Sequence, residues 1–190
     1  MRVLMIGAPG AGKGTQGVRV AEHYGITHIS SGDLLREHVR DGSAIGVEAQ
    51  RFVGRGDLVP DTLVLEMLRE PIVAASASGG YVLDGFPRTV QQAEAAHRLT
   101  AELGVEVQAA VHLDVSRDEL VRRLLARGRG TDDTREVIEH RLAVYDEKTL
   151  PMLQFYAGRA ALVRVDGDQP VEAVTAELLE RLEELREAAV

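Results

Sequence analysis

The sequence predicts a three-layer α/β sandwich: a five-stranded parallel sheet with helices on both faces. Three observations carry this. Five short apolar runs recur along the 190 residues, at Val3 to Ile6, Ile26 to Ile29, Tyr81 to Leu83, Ala109 to Leu113 and Ala161 to Val165. Strands that are mainly apolar suit a sheet covered on both faces. Helical patterns separate the runs, and that alternation implies crossover connections between parallel neighbours. The glycine-bearing loops follow directly on strands, at Gly7 to Gly12, Ser30-Ser31-Gly32-Asp33 and Asp84-Gly85-Phe86-Pro87-Arg88. An open parallel sheet gathers its ligands at that carboxyl edge.

The elements follow in order. The first run opens into Gly7-Ala8-Pro9-Gly10-Ala11-Gly12-Lys13-Gly14-Thr15. Strand, glycine-rich turn and helix start together make a phosphate cradle, a P-loop. Glycines let consecutive N–H groups point inward at an anion, the helix N-terminus adds partial positive charge, and Lys13 brings a full one. The lysine is informative in itself. Of 22 basic residues only Lys13 and Lys148 are lysines. A compact ammonium fits within the curl of the loop and a planar guanidinium does not. The general pattern of such loops sets Ser or Thr directly after the lysine, whereas here Gly14 intervenes before Thr15.

Thr15 to Tyr24 reads as the first helix, and the second strand follows it. Residues 30–59 then hold two short helices and Gly42, Gly46, Gly54 and Gly56 without a strand, an excursion that could move as a unit. Pro60-Asp61 starts a helix over Leu63 to Ala75. After the third strand come helices over Gln91 to Leu103 and, past the fourth, Arg117 to Arg127. Arg127-Gly128-Arg129-Gly130-Thr131-Asp132-Asp133 reads either as a plain turn between helices or, from its arginine density, as a flexible phosphate clamp. One continuous helix is predicted over Glu136 to Phe155. The last, Val171 to Leu185, turns Leu178, Leu179, Leu182 and Leu185 inward and leaves Glu180, Glu183, Glu184 and Glu187 to solvent.

Composition narrows the function. With 45% hydrophobic residues the chain can bury the core of one domain. The net charge of −8 argues against a nucleic-acid surface. No cysteine is present, so disulfides and thiolate zinc sites are excluded, and the six histidines lack metal-ligand spacing. No apolar run approaches membrane-spanning length. A soluble, cytoplasmic protein that binds neither nucleic acid nor membrane is expected. Since polyphosphates are anionic, its arginines should be concentrated in the site.

Six arginines stand in such places: Arg36, Arg88, Arg123, Arg127, Arg129 and Arg141. Arg36 lies one turn into the helix opened by Ser31, and Pro87 stiffens the turn that carries Arg88. Arg123 and Arg127, four apart, share a helix face. Phosphoryl transfer asks for in-line positioning and positive charge around the moving group, and guanidiniums grip phosphate oxygens two at a time. Asp84 at the end of the third strand could hold magnesium through water or shape a turn. Asp132 and Asp133 would repel each other unless arginines lie close, which suggests that they organise the clamp.

These blocks resemble the adenylate kinases, of the type with a short lid. The resemblance rests on Gly7 to Gln16, on Ile29 to Arg36, on Gly56-Asp57-Leu58-Val59-Pro60, on Leu83 to Thr89 with Gln92, and on Asp132-Asp133 followed by Arg141-Leu142 and Tyr145. They run in the family's order along nearly the whole chain. Gly14 after the lysine is itself a mark of that family, whose magnesium is held largely through water.

The resemblance implies the reaction ATP + AMP ⇌ 2 ADP and a role in adenine nucleotide homeostasis. It implies a core of residues 1–29, 60–126 and 134–190, a nucleoside-monophosphate-binding segment at 30–59 and a lid at 127–133. Gly10, Ala11, Gly12, Lys13, Gly14 and Thr15 would wrap the ATP phosphates, Arg123 and Arg127 would contact ATP, and the backbone near Gln169 would meet its adenine. Ser31, Arg36, Asp57, Leu58, Val59, Gly85, Phe86, Pro87, Arg88 and Gln92 would hold AMP. Arg129 and Arg141 would bridge the reacting phosphates, so that Lys13, Arg88, Arg123, Arg129 and Arg141 form the catalytic set. Mg2+ would arrive as Mg-ATP, with Asp84 holding it through water, and no zinc is expected. A monomer is implied, with ATP, AMP and ADP as its small-molecule partners.

Two positions depart from the family pattern. Ser31 stands where Thr is usual and keeps the hydroxyl. The stretch Arg129-Gly130-Thr131-Asp132-Asp133 carries one extra residue. A UMP/CMP kinase of the same architecture is the nearest alternative, and Ser31 with Gln92 favours adenine. A nucleotide-dependent switch that reads guanine would need an Asn-Lys-x-Asp segment, and the chain has no asparagine.

Overall fold

The computed structural model describes residues 1–53, 59–128 and 133–188. All five expected strands are present: β1 (Arg2–Gly7), β2 (Thr27–Ser30), β3 (Tyr81–Asp84), β4 (Ala109–Asp114) and β5 (Ala161–Asp166). They form one parallel sheet in the order β2-β3-β1-β4-β5. Side chains alternate across a strand, and here the alternation divides the core in two. Val3 and Met5 of β1 join a cluster with Val20, Leu124, Ile138 and Leu178 on one face. Leu4 and Ile6 join Met67, Leu68, Phe86 and Met152 on the other. Each face is therefore closed by helices.

α1 (Lys13–Tyr24), α6 (Arg117–Arg127), α7 (Arg135–Val144) and α9 (Val171–Ala188) cover the first face. On α9, Leu178 and Leu182 are fully buried, each contributing about 2 kcal/mol of hydrophobic stabilisation. The second face is covered by α3 (Ala44–Val53), α4 (Asp61–Ala77), α5 (Val90–Glu102) and α8 (Met152–Ala157). The remaining helix, α2 (Ser31–Arg40), starts where β2 ends. Its N-cap is Ser30, whose hydroxyl accepts the Asp33 N–H at 3.2 Å.

α2 and α3 pack backbone against backbone. A Cβ placed on Gly46 would stand 2.0 Å from the carbonyl oxygen of His38, so only glycine permits this crossing. Residues 31–53 thus hold two helices and no strand, as the sequence suggested.

One expectation fails. Glu136 to Phe155 is not a continuous helix. α7 ends at Val144, a π-helical turn spans Tyr145–Thr149, and α8 starts after Pro151. The cause is Pro151, which has no N–H to give and whose ring would clash with the carbonyl four residues back. The chain widens by one residue ahead of it, and Leu150 N–H reaches the Tyr145 carbonyl at 2.9 Å.

Register fixes the working edge. Asp84 of β3 lies level with Ser30 of β2 and Met5 of β1, and Gly7 of β1 lies level with Leu113 of β4. The loops that follow Gly7, Ser30 and Asp84 consequently leave the sheet at one end, side by side.

Candidate active site

The cradle follows β1. Gly12 is the N-cap of α1 with φ of 95°, a left-handed conformation that side chains resist. Lys13 folds back over the loop, its Nζ donating to the carbonyl oxygens of Gly7 at 2.8 Å and Ala8 at 2.9 Å. Burial lowers its pKa to about 8. The positive charges of Arg88, Arg141 and Arg127 push in the same direction, and Asp84 opposes them.

The second turn carries Arg88. Gly85, at φ of 85°, admits the Ser31 hydroxyl to 2.5 Å of where a Cβ would stand. This glycine lets the start of α2 lie against the end of β3. Arg88 is fixed at several points. Its Nε donates to the Gly85 carbonyl at 2.6 Å, and its backbone N–H donates to Gln92 Oε1 at 2.7 Å. Gln92 Nε2 in turn donates to Asp61 Oδ1 at 2.7 Å, while Thr149 donates its hydroxyl to the Arg88 carbonyl at 2.8 Å. Phe86 and Val59 are buried in the same core cluster, and the Phe86–Pro87 peptide is cis. Arg36 is paired with Asp33 one turn earlier on α2.

The third group of arginines comes from α6 and α7. Arg123 donates to Glu119 at 2.7 Å and to the Gly167 carbonyl at 2.8 Å. Arg127 grips Asp133 with Nε at 2.9 Å and Nη2 at 2.6 Å. Arg141 approaches the same carboxylate at 3.8 Å, and the Asp133 side chain is completely buried. Gln169, beyond β5, donates its amide to Glu177 at 2.9 Å and to the Asp166 carbonyl at 3.2 Å. Gly56, Asp57, Leu58, Arg129 and Asp132, singled out in the sequence, lie outside the described residues.

Lys13, Arg88 and Arg141 line one open cleft together with Gly7, Gly85 and Tyr145. The Arg88 pKa is lowered by burial and by the neighbouring charges of Arg141 and Arg36, with Asp84 acting against them. Cations held close enough to depress one another form a site that favours an anion. Arg36 and Arg123 do not line that cleft. Each is held by a carboxylate of its own helix.

Asp84 meets the requirements of a water-held divalent ion. Its Oδ1 is buried and receives no hydrogen bond from the described residues. Its Oδ2 lies 3.6 Å from where a Cβ of Gly14 would stand. A buried carboxylate oxygen without a donor suits a hard cation or its water shell, and Gly14 leaves room for that shell beside Lys13.

Sequence reading missed three residues of this site: Asp61, Tyr145 as a wall of the cleft, and Thr149. Pro151 was the available signal for the last two, because it forces the turn that carries them.

Known proteins resemble the chain along nearly its whole length. Residues 5–161 match the family model described as adenylate kinase. The chain is 45% identical to the adenylate kinase of Kocuria rhizophila over 96% of its own length and 98% of the relative's. It is 49% identical to that of a Synechococcus strain, over 93% and 96%. It is 44% identical to that of Leptospira biflexa, over 95% and 99%.

Proposed function

This chain belongs to the adenylate kinase family and is an ATP:AMP phosphotransferase that converts ATP and AMP reversibly into two ADP; on that premise we propose a division of labour among its residues. Gly10 to Thr15 wrap the ATP phosphates with backbone N–H groups, and Lys13 leaves its two loop carbonyls for the phosphate oxygens. Arg123 and Arg127 come to ATP from α6, and the backbone beside Gln169 receives the adenine. Ser31, Arg36, residues 57–59, Gly85 to Arg88 and Gln92 hold AMP. Arg88 and Arg141, joined by Arg129, take the oxygens of the group in flight.

The observation that carries this reading is the convergence of Lys13, Arg88 and Arg141 on one cleft at the carboxyl edge of the sheet. Two polyphosphates repel each other, and a ring of fixed cations removes that repulsion without reorganisation at the moment of transfer. The AMP phosphate is already an anionic nucleophile, so no general base is required. What the protein supplies is in-line placement and the exclusion of water. The segment 30–59 and the lid 127–133 close over the substrates for that purpose. Asp33 and Asp133 hold arginines in the free enzyme and yield them to phosphate. Asp84, whose buried Oδ1 has no hydrogen-bond donor among the described residues, would hold Mg2+ through water, and the ion when bound would supply positive charge against the phosphates.

We further assign the enzyme to the cytoplasm as a monomer acting on small nucleotides. No helix among the described residues is long and apolar enough to cross a membrane. A co-crystal with a two-headed ATP–AMP mimic tests the division of labour. Lys13, Arg88 and Arg141 are expected within hydrogen-bond distance of the central phosphates, with Arg36 on the AMP phosphate. A central phosphate chain bound away from Lys13 and Arg88 would overturn it. Parallel assays with AMP, CMP, UMP and GMP test the acceptor, and AMP is expected to be preferred.

A further inference from the structure

His112 lies on β4, level with Ile6 of β1, and is only 5% exposed. Its Nε2 stands 3.0 Å from the Tyr145 hydroxyl. Its Nδ1 is buried without a hydrogen-bond partner among the described residues. An imidazole in this position is costly, because burial without pairing forfeits hydration. An aliphatic side chain would fill much of the same space at no such cost. What the imidazole adds is one contact with a phenol that forms a wall of the catalytic cleft.

That phenol sits at a junction. Tyr145 is the C-cap of α7, and its backbone N–H bonds the carbonyl of Arg141. It also opens the π-helical turn, whose far end is Thr149. The Thr149 hydroxyl holds the backbone carbonyl of Arg88 at 2.8 Å. One short turn therefore touches both arginines of the cleft, and it is tied to the sheet through His112. A π-helical turn has poorer intrinsic geometry than an α-helix, so external ties matter more for its position. Burial lowers the pKa of His112 and keeps the ring neutral. A neutral ring either accepts the Tyr145 O–H at Nε2 or donates an N–H to the phenol oxygen, and either way the hydroxyl is held.

We propose that His112 is a positioning residue for phosphoryl transfer, acting through the Tyr145 hydroxyl and the π-helical turn to hold Arg88 and Arg141 in register with the cradle. The inference rests on the assignment of those two arginines to the transferring phosphoryl group. It deepens that assignment by extending the site to a residue that does not line the cleft of those arginines.

The test compares His112→Leu, His112→Gln, Tyr145→Phe and the double variant His112→Leu/Tyr145→Phe, with Arg88→Lys as a reference. Since small misplacements of catalytic groups are expensive, His112→Leu and Tyr145→Phe should each lower kcat about tenfold. KM for ATP should stay within about twofold, because the cradle itself is untouched. The melting temperature of His112→Leu should move little, because the unpaired Nδ1 is removed while the Tyr145 hydroxyl loses its partner. His112→Gln, which keeps a hydrogen-bonding amide, should recover most of the rate. The double variant should be no slower than the slower single one, since both break the same contact. Tyr145→Phe removes one oxygen atom and carries the test independently of how His112→Leu folds. Wild-type kcat in Tyr145→Phe, or losses that multiply in the double variant, would overturn the inference. If Arg88→Lys is impaired while the His112 and Tyr145 variants are not, the positioning role alone falls. Full turnover by Arg88→Lys would overturn the arginine assignment and the inference with it.

Discussion

Arg127 holds both carboxylate oxygens of Asp133, at 2.6 and 2.9 Å, and Arg141 reaches the same group at 3.8 Å. The carboxylate is completely buried, so it stands among the arginines as an internal anion. Asp133→Ala would leave that cluster without its buried counter-charge, a change that costs about 3 kcal/mol when one member of a buried pair is removed. Thermal unfolding of the variant should show this loss. ATP should then raise the melting temperature of the variant more than that of the wild type, because its phosphates replace the missing charge. Equal shifts in the two proteins would count against the substitution of one anion for the other.

Lys13→Met should leave the fold intact. The ammonium is held by two loop carbonyls, and removing it also removes the cost of burying a charge. Turnover should fall about a thousandfold or more, the scale of losing a central electrostatic contact to a developing charge. Circular dichroism and steady-state rates on the same preparation check both halves of the statement.

The lowered pKa of Lys13 gives pH a direction. In the free enzyme its charge is lost as pH rises through about 8. ATP favours the charged form, so binding near pH 8 to 9 should take up protons and should weaken as pH rises. Calorimetric titrations in buffers of different ionisation enthalpy measure that uptake, and Lys13→Met should abolish it. Stability moves the other way. The folded pKa lies below the ordinary lysine value of 10.5, so between about 8 and 10.5 the unfolded chain binds more protons. From this group alone, stability should rise with pH across that window.

Arg88→Ala should raise KM for AMP far more than KM for ATP. The side chain is anchored to Gly85 and the backbone to Gln92 and Thr149, and Gly85 and Gln92 belong to the set proposed for AMP. Kinetics with each substrate varied at saturation of the other separate the two effects. Equal increases for both substrates would remove Arg88 from the AMP side.

Much of this architecture was legible in the residues themselves. Buried parallel strands are short and apolar, so all five appear within two residues of where Val3, Ile26, Tyr81, Ala109 and Ala161 suggested. The P-loop was legible because glycine and lysine spacing is local chemistry. The break between α7 and α8 was hidden, since periodicity from Glu136 to Phe155 persists across the π-helical turn and only Pro151 marks it. Gln92 shows a different limit. Its amide reads as a match for adenine, and in the fold both its ends also bond within the protein, to Arg88 and Asp61, which still leaves one N–H and one lone pair. Such partners come from folding and leave no trace in spacing. The contact of His112 with Tyr145, 33 residues apart, is hidden for the same reason.

The seat of Lys13 has one practical consequence. Only Lys13 and Lys148 are lysines in the whole chain, and Lys148 is exposed and paired with Glu147. An acylating reagent therefore meets two targets on lysine, and the one in the cradle is already partly deprotonated near pH 8. Modification there removes the ammonium that the proposed division of labour sets against the triphosphate. Peptide mapping after brief acylation thus reads occupancy of the cradle from one side chain, with ATP as the protecting group and Lys148 as the internal standard.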